Sequence, residues 1–63
     1  MLKVETFKGE SCVVMDVNPV NLMVTVTKYS YGGALLAKMS FDTRPAADAF
    51  FQKCRDELAK DFE

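Results

Sequence analysis

The 63-residue sequence contains no histidine and no tryptophan, and only two cysteines, three glycines and two prolines. Without imidazole, a Ser or Cys nucleophile has no access to the commonest general base, so triads of that kind are excluded within one chain. Cys12 and Cys54 are too few for a four-ligand structural zinc site and do not form a Cys-x-x-Cys pair. The expectation is a protein that is not an enzyme, with no catalytic residue, no metal and no cofactor. Scarce Gly and Pro exclude collagen-like and low-complexity structure, and 49% hydrophobic against 27% charged residues excludes disorder. No apolar run approaches the ~18 residues of a membrane span. The first ten residues carry Lys3, Glu5, Lys8 and Glu10 where a signal peptide would need an apolar stretch. No membrane partner and a cytoplasmic location are therefore expected, with both cysteines reduced.

Charge of one sign is also missing. Eight basic residues against nine acidic ones leave a net charge of −1, which lacks the broad attraction of a duplex-DNA or anionic-membrane binder. The acids concentrate late, with six acids and four bases between residues 42 and 63.

What the chain does have is two kinds of periodicity. Up to Phe41, apolar runs alternate with turn formers at Lys8-Gly9-Glu10-Ser11, Asn18-Pro19-Val20-Asn21 and Tyr31-Gly32-Gly33. Three turns imply four strands, at about 2–7, 12–17, 22–30 and 34–41, and short connections favour an antiparallel meander. Parity assigns Val13, Met15 and Val17, then Leu22, Val24 and Val26, then Leu35, Ala37, Met39 and Phe41 to a core face. The first strand is less regular, since Leu2 and Val4 share a parity that Phe7 breaks, and a bend or bulge is expected near Thr6.

From about 44 to 62 the period changes. Ala47, Phe50, Phe51, Cys54, Leu58 and Phe62 recur at spacings of three and four, one stripe of an amphipathic helix. Pro45 suits its first turn, and Asp42 or Thr43 can cap it. The fold class is thus α+β in one 1–63 domain: a four-stranded antiparallel meander followed by one C-terminal helix on one sheet face.

Three candidate surfaces follow. The helix stripe, ~28 Å by ~10 Å, cannot cover both faces of a sheet about 20 Å square. By parity the second face carries Val14, Met23, Tyr29, Tyr31 and Leu36, which is too apolar for a fully wet antiparallel face. It is expected to be an interface, first for a second copy of the chain and next for a different protein, with aromatic residues and Met as anchors. The outer helix face carries Asp48, Asp56, Glu57 and Asp61, an acidic surface that fits a basic target, as in small inhibitor or accessory proteins of phages and mobile elements. Lys28, Tyr29, Tyr31 and Lys38 form a third set, two stacking platforms beside two cations, suited to single-stranded nucleic acid. With those residues, the order of four strands and a helix resembles the dimeric single-strand-binding domains of the Whirly and transcriptional-coactivator type. That resemblance implies a nucleic-acid partner; the net charge ranks it third.

Size favours association as well. Folding would bury apolar surface worth about 90 kcal/mol, against about 95 kcal/mol for ordering the chain. Chains this near to zero commonly draw stability from a partner subunit.

Overall fold

A computed structural model describes residues 2–61. Four strands, β1 (Lys3–Thr6), β2 (Cys12–Val17), β3 (Val24–Tyr29) and β4 (Leu35–Phe41), form one antiparallel sheet in the order β1-β2-β3-β4. The helix α1 (Arg44–Asp61) follows and packs on one face. The accessible surface is 4198 Å², close to the ~4,100 Å² of a compact chain of this mass.

Alternation produces the covered face. Val13 and Met15 on β2 lie opposite Lys28 and Val26 on β3, and Val24 and Val26 lie opposite Phe41 and Met39 on β4. Val13, Met15, Val24 and Val26 meet Ala47, Phe51, Cys54 and Leu58 of the helix stripe in one buried cluster. Thr43 begins the helix, its carbonyl accepting the Ala47 N–H at 3.3 Å, which leaves Pro45 in the first turn where no donor is needed. The Phe41 and Phe50 rings, 5.6 Å apart and tilted, close the join between β4 and α1. Phe62, the last residue of the expected stripe, lies outside the described residues.

Several expectations are corrected. Leu22 is not a core residue: β3 begins at Val24, and Leu22 sits in the β2–β3 loop with φ +61 and 72% exposure. That loop is closed by Asn18, whose N–H donates to the Met23 carbonyl, whose carbonyl accepts from Leu22, and whose side chain accepts from Val20. An Asn satisfying three backbone groups fixes a four-residue hairpin loop, and the apolar side chain at its end is carried outward. No register shift occurs near Thr6, where β1 pairs regularly and simply ends. The irregularity lies in β4 instead: Tyr29 is opposite Leu35 while Lys28 is opposite Ala37, so Leu36 is an extra residue. The bulge breaks the alternation and moves Leu35 from the expected core face to the open face beside Tyr29. Met39 keeps its face but remains 47% exposed, because α1 lies over β2 and β3 and reaches β4 less.

Candidate interaction surface

The sheet face away from α1 is built in rows by the ladder. Thr6, Cys12, Tyr29 and Leu35 form one row, Val4, Val14, Thr27 and Lys38 the next, and Asp16, Thr25 and Ser40 a third. The first two rows hold most of the apolar side chains and the third is polar, with the Thr25 and Ser40 hydroxyls 3.1 Å apart. The β2–β3 loop borders the polar end, where Asn18, Pro19 and Val20 line a shallow hollow together with Asp16, Thr25 and Lys38.

Of the residues expected on this face, Val14 and Tyr29 lie on it, both half-buried, and Leu36 lies on it at the β4 edge, 55% exposed. Met23 precedes β3 and is half-buried at the loop. Tyr31 is elsewhere. The β3–β4 turn carries it over the β1–β2 turn, where the Gly32 N–H donates to the Gly9 carbonyl at 2.6 Å. A Cβ on Gly9 would overlap the Tyr31 ring, so the ring lies directly on the Gly9 backbone, itself at φ +62. Gly9 therefore has two reasons to be glycine: the left-handed turn that closes the β1–β2 hairpin, and the ring above it. The buried Ser11 hydroxyl donates to the Lys8 carbonyl at 2.6 Å and holds the other side of that turn.

The nucleic-acid set is separated in the same way. Tyr29 and Lys38 share the open face, whereas Lys28 points to the covered face, its side chain 14% exposed and its Nζ 3.4 Å from Glu57. The acidic helix set is partly engaged within the chain. Glu57 pairs with Lys28, and Asp48 lies 3.5 Å from both Lys3 and Arg44. Asp56 accepts from Gln52 at 3.0 Å and lies 3.6 Å from Arg55. The side chain of Asp61 lies outside the described residues.

Cys12 and Cys54 are both free and lie on opposite sides of the sheet, Cys12 opposite Tyr29 and Cys54 in the core under the helix. A bond between them would have to pass through the sheet. Burial pushes the Cys54 thiol up, opposed by the nearby Lys28 ammonium, so it is held protonated rather than as a reactive thiolate. Among the described residues, every buried side-chain N or O atom has a hydrogen-bond partner. No group of three or more His, Cys, Asp or Glu among them could hold a metal ion.

Sequence reading missed part of the surface. Val4 adds to the open face from β1, with exposed Leu2 just before the strand, because Lys3 and Glu5 take the helix side opposite Met15 and Val13. The signal was present in the parity of β1, but a strand with charges at Lys3 and Glu5 reads more naturally with those charges outward. Lys3 faces inward because its ammonium lies 5.3 Å over the Phe51 ring and reaches Asp48 beyond it. No protein-family model, no curated protein and no solved structure matches this chain.

Proposed function

We propose that this protein is a non-enzymatic protein–protein interaction module that associates with a second copy of itself. The observation that carries the reading is that three of the exposed large apolar side chains, Leu35, Leu36 and Met39, lie together on β4, against Val4 alone on β1, and that among the described residues β4 is an edge strand paired on one side only. A chain of this size gains most from covering such a margin with its own symmetry mate. Two unbridged cysteines fit a reducing compartment such as the cytoplasm.

Sedimentation across a concentration series tests this. The expected result is a mass rising from 7.1 kDa toward twice that value at high micromolar concentration. The melting temperature should rise with concentration too, and Leu36→Asp should shift the equilibrium toward monomer while leaving the helix signal unchanged. A constant 7.1 kDa and a concentration-independent melting temperature would overturn self-association and transfer the apolar margin to a foreign protein. The acidic helix face and the Tyr29–Lys38 pair are the alternative surfaces, for a basic protein and for single-stranded nucleic acid respectively.

A further inference from the structure

Resting on that reading, we infer that β4 pairs antiparallel with β4 of a second copy, with Met39 opposite Met39 at the two-fold axis. The two sheets then form one sheet of eight strands with both helices on the same side. Three observations lead there.

The first is that the exposed apolar side chains of β4 project to both faces. Leu35 and Leu36 are on the open face, while Met39, opposite the core residue Val26, is on the helix face. Stacking two open faces would bury the leucines and leave Met39 in water. Pairing at the edge covers Met39 and lays the end of the neighbouring strand beside Leu36, because that strand brings side chains to both sides of the sheet.

The second is the contrast between edges. Natural sheets protect an edge by shortness, charge, proline or a bulge. β1 has four residues, two of them charged, whereas β4 has seven, with Lys38 its one charge and no proline. The bulge protects only the start of β4, leaving Ala37–Phe41 regular.

The third is register. Centring the two-fold on Lys38 sets one ammonium directly opposite another, which is repulsive. Centring it on Ala37 runs the ladder into the bulge at Leu36. Centring it on Ser40 leaves only Met39, Ser40 and Phe41 paired before the strand ends. Centring it on Met39 pairs Ala37 with Phe41 and Lys38 with Ser40 of the partner, five residues of each strand, with no like charges opposed. Such a ladder is ~17 Å long and about 20 Å deep across its two side-chain layers, burying roughly 700 Å² in total, the size of a weak, reversible contact.

Cysteine cross-linking tests the register. Directly opposed residues in an antiparallel pair have Cα atoms about 4.5–5.5 Å apart, within the range of a disulfide. Met39, Lys38 and Ser40 are all exposed, so replacing them leaves the core intact. Under mild oxidation, Met39→Cys should cross-link to a covalent dimer by itself. Ser40→Cys should remain uncross-linked alone, and should form a heterodimer when mixed with Lys38→Cys. The parent chain, with Cys12 and Cys54 only, should give no covalent dimer. If the parent sediments as a dimer while Val14→Cys on the open face cross-links and Met39→Cys does not, the register is overturned and self-association stands. If the parent sediments as a monomer at every concentration, both fail.

Discussion

At one margin of the sheet, β1 is four residues long and turns its charges toward the helix, where Lys3 lies over Phe51 and reaches Asp48. At the other, β4 is seven residues long and leaves Leu35, Leu36 and Met39 in solvent. The same helix sits between them over β2 and β3, nearer to β4 than to β1, and from β1 only the long Lys3 side chain spans the gap to it. The difference teaches that a single helix distributes protection unevenly. At β1 a long lysine stem bridges to the helix and serves as cover; at β4 correctly alternating apolar residues with shorter reach remain exposed. An edge left in that state is a template for another strand.

The comparison is broken most strongly by removing the cover. Phe51→Ala should cost about 3–5 kcal/mol in denaturant unfolding, the usual range for truncating a buried aromatic residue. Met39→Ala, on the same sheet face but at the uncovered margin, should cost less than about 1 kcal/mol in dilute solution. Equal losses would show that Met39 is covered after all.

A smaller effect separates the ends of the two outer hairpins, which meet where Tyr31 rests on Gly9. Gly9→Ala should destabilise by about 1–3 kcal/mol, from the left-handed backbone and from displacement of the ring. In a Tyr31→Ala background only the backbone part should remain. A cost that does not change between the two backgrounds would show that the ring contact carries no energy.

Smaller again is the protection of β1. Asp48→Asn removes the carboxylate that Lys3 reaches, an exposed pair worth at most about 1 kcal/mol and weakened by salt. Faster hydrogen exchange along β1, with β3 unchanged, is the expected signature. Uniform acceleration across the sheet would mean that the pair supports the whole fold rather than one edge.

The finest test concerns the covered interior. Burial raises the Cys54 thiol pKa, so above the ordinary thiol pKa of about 8.5 the unfolded chain loses a proton that the folded chain keeps. Folded stability should therefore decline as pH rises from about 8.5 through the raised value, and be fully present below it. Comparing thermal unfolding of the parent and Cys54→Ala over that window isolates the thiol, since every other side chain is common to both. An identical alkaline decline in the two proteins would remove the thiol as its cause.

Much of this architecture was legible in the chain. Val13, Met15, Val24 and Val26 alternate, and Ala47, Phe51, Cys54 and Leu58 recur at helical spacing, so the residues of the core could be named with the elements that carry them. Leu22 was misread because alternation alone extends a strand into its loop; the Asn18 side chain that ends it acts through backbone groups that hydropathy does not register. The candidate surface was less legible. Tyr29 and Leu36 were placed on the open face by parity, but Tyr31, two residues beyond Tyr29, shares that parity only if the strand continues, and the chain turns first.

By itself the sequence determined the four strands, the helix and the side chains that each could bury, because those depend on periodicities of two and 3.6 residues written over short stretches. Tertiary structure alone decided where the helix crosses the sheet, hence that Lys28 and Lys3 face inward to Glu57 and Asp48 and that Met39 does not lie beneath cover. It also decided the bulge that turns Leu35 to the open face and the seating of Tyr31 on Gly9. These choices belong to residues far apart in the chain, and they are made when one rigid helix is fitted to a sheet wider than itself.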